Sequence, residues 1–355
     1  MKHPALLATA TVMVSALGAL VVAGFNIPGG LLMGGALAVK IAALAGFPAT
    51  IPTGLRNVFF VGVGLSMGAS VAPDTLALIG QWPVTLVGLA LELLVIVLVC
   101  GLMLRRMFGF DAGTAYLSSF PGHLSFIIAL ASTGTGNPRQ IVIIQVQRVM
   151  ALTLFAPIGA LFLPMGHYAG MASEPMALTT LAMVAGGCTL CGWAFTRLRV
   201  PAGYVLGSMA FAMAMKLTGN FPGALPPLLV DLTFIGMGAL IGSRFAGITR
   251  VEFMQAALGG TMATLVTVAI TTVFALVLGQ IVTMPIGQLW LGLSPGGLES
   301  MGALGIALGY DTAFIAAHHV ARLLMLTFAI PLVVMLVKDK TPQPLTAPSD
   351  SPDTR

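Results

Sequence analysis

Arg148 and Arg322 each lie about ten residues inside a long apolar run, roughly 15 Å from its start at 1.5 Å per residue. A charge at that depth in a bilayer costs about 2.5–3.5 kcal/mol on insertion scales, so it is expected to be functional or paired. Upstream of each arginine stands a Pro-Gly motif: Ser119-Phe120-Pro121-Gly122-His123 before Arg148, and Ser294-Pro295-Gly296-Gly297 before Arg322. Proline removes a backbone donor and glycine frees the chain, so each motif is expected to break a helix. The helix that restarts there points free N–H groups and its positive dipole end inward. Helix N-termini beside guanidinium forks suit a small organic anion such as a carboxylate. Glu299 opens the segment after the second motif, where it could neutralise the pocket when empty or carry a coupling proton. The candidate substrate set is Pro121, Gly122, His123, Arg148, Pro295, Gly296, Gly297, Glu299, His319 and Arg322. The bland alternative is a pair of structural ion pairs, Arg322–Glu299 and Arg148–Glu92.

Other chemistry finds little support. A copper or iron oxygenase needs clustered histidines or histidines with carboxylates. His3, His123, His167, His318 and His319 are scattered, and the adjacent pair points about 100° apart on a helix. Cys188-x-x-Cys191 lies inside an apolar run with no second pair, so a zinc site is not expected. No enzyme activity, metal or cofactor is expected. Gly64-x-x-x-Gly68 and Gly238-x-x-x-Gly242 read as packing surfaces that bring neighbouring helices close.

The elements that must position these residues follow from composition. Of 355 residues, 57% are apolar and 8% charged, and the mean hydropathy is +1.01. Soluble domains carry about 25% charged residues, so this chain cannot cover a watered surface. The net charge of +5 is assigned to the basic loops of a polytopic all-α membrane protein rather than to nucleic-acid binding. Twelve apolar segments separate at Gly-Pro, charged or amide-rich breaks. One constant register superposes the two halves: Phe47-Pro48 on Phe221-Pro222, Gly64 and Gly68 on Gly238 and Gly242, and Pro121-Gly122 on Pro295-Gly296. The same register carries Asn137 onto Asp311, Gln145 onto His319, Arg148 onto Arg322 and Pro157 onto Pro331. The chain is a duplication.

Orientation comes from the basic loops. Arg56, Arg105, Arg106, Arg197, Arg199, Arg244, Arg250, Lys338 and Lys340 all fall inside only if each half crosses an odd number of times. The expected fold is therefore two inverted repeats of about five crossings, each with one Pro-Gly-broken segment, re-entrant or discontinuous. Residues 1–164 form the first repeat, 165–177 an external linker, 178–337 the second repeat, and 338–355 a disordered cytoplasmic tail. Both termini are cytoplasmic, and the expected location is a bacterial inner membrane. The N-terminal apolar run aligns with segment 178–197, so it is read as a retained span rather than a cleaved signal.

Pro295-Gly296-Gly297-Leu298-Glu299, Met301, Asp311, His319, Arg322 and Pro331 resemble the AbrB duplication family of integral membrane proteins, over nearly the whole chain. The first half repeats the pattern with His123 for the second glycine and no following carboxylate. The resemblance implies a regulator of gene expression or an ammonia monooxygenase. A DNA reader needs a solvated basic domain, whereas the longest cytoplasmic piece expected here is the 18-residue tail, so regulation would be indirect. Two readings stand. One is a secondary transporter moving a small organic anion with a coupling ion. The other is a membrane sensor or regulator that binds no nucleic acid directly. The lipid bilayer is the expected partner, and a homo-oligomer is compatible with either reading.

Overall fold

Backbone in a bilayer must satisfy its own N–H and C=O groups, so apolar runs resolve as helices. The computed structural model describes residues 4–71, 79–122, 124–132, 134–160, 176–221 and 225–338; among these there is no strand. The expectations for His123, for most of the 165–177 linker and for the tail beyond Lys338 lie outside the described residues. The first half comprises α1 (Pro4–Ala23), α2 (Gly30–Leu44), α3 (Thr53–Ala69), α4 (Trp82–Met107), α5 (Ala112–Ser119), α6 (Leu124–Ala131) and α7 (Pro138–Ala160). The second half repeats that order: α8 (Leu178–Arg197), α9 (Gly203–Leu217), α10 (Pro227–Ser243), α11 (Arg250–Leu278), α12 (Ile286–Leu293), α13 (Leu298–Leu308) and α14 (Thr312–Lys338). Each Pro-Gly motif separates two short helices, α5 from α6 and α12 from α13.

Local chemistry sets the boundaries. The Asp111 carboxylate accepts from Thr114 N and starts α5. Thr249 and Glu252 form a reciprocal capping box at α11. Arg139, at the start of α7, grips the same Glu252 through Nε and Nη2 at 2.9 and 3.0 Å. Hydrogen bonds from Arg139 first, then from Thr249, hold the Glu252 carboxyl down to about 2.

Among the described residues, six helical stretches are long and apolar enough to cross a membrane; they coincide with α1, α4 together with the turn before it, α7, α8, α11 and α14. These are the first, fourth and seventh helices of each half. Five crossings per half would also need α2, α3, α9 and α10, of 15 to 17 residues. Such helices span about 22–26 Å against a hydrocarbon core of about 30 Å.

Packing crosses the boundary between the repeats. One body joins α1–α3 to α8–α10, and the other joins α4–α7 to α11–α14. Contacts come in repeat-matched pairs: α2 with α10 and α3 with α9, α1 with α10 and α3 with α8, α5 with α7 and α12 with α14, α7 with α11 and α4 with α14. Small residues permit the tightest crossings. A Cβ at Gly64 would fall on the Val205 carbonyl, and one at Gly242 on Val39 and the Ala36 carbonyl. The first body encloses Leu32, Val63, Met209 and Met237; the second encloses Leu117, Phe120, Leu289, Met301 and Phe314. Pro157 and Pro331 lie inside α7 and α14, each bringing a residue with no backbone N–H into the helix.

Candidate functional site

At the second break, α12 ends when Ser294 turns to extended backbone (φ −52°, ψ 132°), and Gly297 remains extended (φ −75°, ψ 142°) before α13 begins. Carbonyls at such a helix end have no intrahelical partner. Arg322 of α14 supplies one. Its Nη1 donates to Ser294 O at 2.5 Å and its Nη2 to Gly296 O at 2.7 Å, so one guanidinium straddles Pro295. Arg322 is buried, at 3% exposed. The charge is stabilised there by two carbonyl dipoles and the negative end of α12, with each charged hydrogen bond contributing about 1.5–3 kcal/mol.

The first break is built in the same way. Arg148 of α7 donates from Nη2 to Phe120 O at 2.8 Å and from Nη1 to Ser118 O at 3.4 Å. Phe120 and Ser294 occupy equivalent positions in the sequence repeat. A second equivalence holds the other end of each short helix. Asn137 N donates to Thr114 Oγ1 at 2.7 Å, and Asp311 N donates to Gln288 Oε1 at 3.1 Å. Gly122 has φ 129°, which only glycine adopts readily. A Cβ there would touch Leu323 and Leu326 of α14, so the first break lies against the helix that carries Arg322.

The carboxylates of the alternative, ion-paired reading make other contacts. Glu299 pairs with Arg244, the C-cap of α10, at 3.0 Å; Glu92 accepts from Thr271 of α11 at 2.5 Å. The reason is geometric. Each arginine fork already spans the carbonyls of its break, and Glu299, in the first turn of α13, meets a cation favoured at the C-terminal end of α10. Arg244 was therefore missed as a partner, because its place in the chain reads as a basic loop. His319 donates from Nδ1 to Ile315 O, while its neighbour His318 turns to Thr85 Oγ1 at 2.7 Å. Several buried polar atoms beside the breaks have no partner in the protein: Nε of Arg148 and of Arg322, His319 Nε2, Ser118 Oγ and Ser294 Oγ. Glu92, Arg148 and Glu299 all lie within electrostatic reach of Arg322. The structure thus brings Gly122, Arg148, Pro295, Gly296 and Arg322 to the two breaks, leaves His319 one turn before Arg322 on α14, and ties Glu299 to α10.

The family model described as "Transition state regulatory protein AbrB" matches residues 31–338. The chain belongs to the AbrB family. Among curated proteins it is similar to "Putative regulator AbrB" of Escherichia coli (strain K12), 23% identical over 335 residues, covering 90% of this chain and 92% of that protein. It is also similar to "Uncharacterized protein YhjN" of Bacillus subtilis (strain 168), 22% identical over 297 residues, covering 76% and 75%. No solved structure matches the chain.

Proposed function

We propose that this AbrB-family membrane protein is a secondary transporter of a small organic anion, built as two inverted repeats, with no enzymatic role. The repeat-matched contacts support a two-fold relation between the halves, since helices with corresponding positions (α3 with α10, α4 with α11) pack against each other, and the basic loops support its being inverted. The observation that carries the substrate reading is the set of buried donors at the two breaks. Arg148, Arg322 and His319 are each at least 97% buried, and each has a ring or guanidinium nitrogen with no protein partner. Buried polar atoms without partners are rare in native proteins and cluster where ligands or water bind. Interrupted helices at matching repeat positions are also the architecture of midplane binding sites in transporters. With both termini cytoplasmic in a bacterial inner membrane, the two breaks enter from opposite faces and meet on α14.

The test is flux and binding with purified protein. Liposomes containing the protein take up a labelled carboxylate, and anions from an acetate, malate and citrate panel raise the Tm. Arg322→Lys keeps the charge but loses the planar fork, so its response weakens. If no anion moves or stabilises the wild type, the transport reading is wrong. The name of the Escherichia coli relative favours a second reading, an indirect membrane regulator. That reading predicts altered transcription on deletion with no flux in liposomes.

A further inference from the structure

We propose that Glu92 of α4 is the proton-binding carboxyl of this protein and couples one proton to anion binding at Arg322. The coupling half of this inference rests on the transport reading above; the proton site does not.

Glu92 lies near the middle of α4 and is fully buried. One oxygen accepts from Thr271 Oγ1 at 2.5 Å, and the other has no protein partner. The threonine contact departs from its surroundings. Thr264, Thr267 and Thr272 on the same helix return their hydroxyls to their own carbonyls four residues back, at 2.7–2.8 Å. The Thr271 hydroxyl instead crosses to α4. It meets the carboxyl at the contact between two helices that correspond in the repeat. Val266 stands where the second half would need a matching acid, so the site has no counterpart at the repeat-equivalent position.

The charged and titratable groups around Glu92 are few. α11 carries none between Ala256 and Leu278, and α5 contributes only Tyr116. α4 itself offers Cys100, whose thiol is bonded to Thr267. From α14 come His318, bonded to Thr85 and Phe314 O, His319, and Arg322. Among the described residues, Arg322 is the cation that acts on Glu92 electrostatically, but both its terminal nitrogens are held by the carbonyls of the second break. An ionised carboxylate with one hydroxyl donor and no cation bonded to it is poorly solvated in such a place, whereas the neutral acid is tolerated.

The consequence is competition for one guanidinium. When Glu92 loses its proton, its carboxylate draws on the positive charge of Arg322 and opposes an incoming anion. When Glu92 is protonated, the full charge of Arg322 is available to the substrate. Proton and anion therefore bind together, and anion affinity falls by up to about tenfold per pH unit once Glu92 ionises.

Two measurements on purified protein in nanodiscs decide this. Infrared difference spectra across a pH titration are expected to show the carbonyl stretch of a buried protonated carboxyl. The band is lost in Glu92→Gln and moves in Thr271→Val, where its hydrogen-bond donor is gone. If the wild type shows no such band, or if Glu92→Gln keeps it, the proton site is wrong whatever the anion data show. Thr271→Val serves as the reporter if the Gln variant does not fold. The second measurement is the Tm shift produced by malate, acetate and citrate at pH values above their own ionisation. It should decline with pH in the wild type and stay flat in Glu92→Gln. An equal slope in both overturns the coupling. Absence of any anion response in the wild type removes the transport reading and leaves the band to decide the proton site.

Discussion

The two breaks share one design but differ in how firmly it is applied. At the first, Arg148 grips carbonyls on the helix side of Pro121, and one of its two bonds is long at 3.4 Å. At the second, Arg322 reaches across Pro295 with two short bonds, at 2.5 and 2.7 Å. The restarting helices differ as well. α13 packs against α3, α7 and α10 as well as α12 and α14, and Glu299 ties it to Arg244. Among the described residues, the main contacts of α6 are with α5 and α7. The second break is thus anchored to the other helical body, and the first rides with its own. The duplicated halves therefore differ: the second break is tied to both helical bodies, while among the described residues the main contacts of the first lie within its own.

Removing the arginines is the strongest way to break this comparison. Arg322→Ala leaves two buried carbonyls without donors and is expected to destabilise by about 3–5 kcal/mol. Arg148→Ala should cost less, about 2–3 kcal/mol, because one of its bonds is weak. Denaturant unfolding in detergent compares them, and equal losses would erase the asymmetry. The Gly296→Leu, Gly297→Leu double variant comes next. Side chains there would press on Met301 and on the Glu299 carboxyl, at a cost of about 1–3 kcal/mol. Normal membrane insertion with loss of the anion response is expected. An intact response would mean that the break is a simple kink.

The Glu299–Arg244 tie sharpens the comparison with a smaller effect. Arg244 is about a third exposed, so Glu299→Gln should cost only about 0.5–1 kcal/mol. A double-mutant cycle with Arg244→Gln should show the loss shared between the two residues. The smallest effect concerns the Arg139–Glu252 pair, which joins the start of α7 to the cap of α11. Glu252 is held at about 2, below its ordinary 4.5, so the contribution is present above pH 4.5 and fades as pH falls toward 2. The Tm should slip slightly over that window in the wild type and not in Glu252→Gln. The pair is exposed, and the slip is accordingly small.

The helix breaks were legible because proline and glycine act locally: the chain parts at Pro121-Gly122 and at Pro295-Gly296-Gly297 as their chemistry requires. The duplication was legible too, and it extends to backbone contacts such as Asn137 with Thr114 and Asp311 with Gln288. The partners of the arginines were not. Arg148 and Arg322 bind backbone carbonyls, which every residue carries and no letter of the sequence marks, so the nearest acids looked like the natural partners. Glu299 found Arg244 because α10 and α13, distant in the chain, meet where the two bodies join. Thr271 as the partner of Glu92 was hidden for a similar reason: a threonine in an apolar helix usually bonds its own backbone.

Pro157 and Pro331 give the arginines a lever. Each proline follows its arginine by about 13 Å of helix at 1.5 Å per residue, and each marks the point where its helix is least stiff. A bend of about 10° at that joint swings a guanidinium by about 2 Å. Movement on that scale separates Arg322 from the Ser294 and Gly296 carbonyls, which it now holds at 2.5 and 2.7 Å. A modest flexure of one helix therefore suffices to release one clasp, and the duplicated proline places the same joint beside the other.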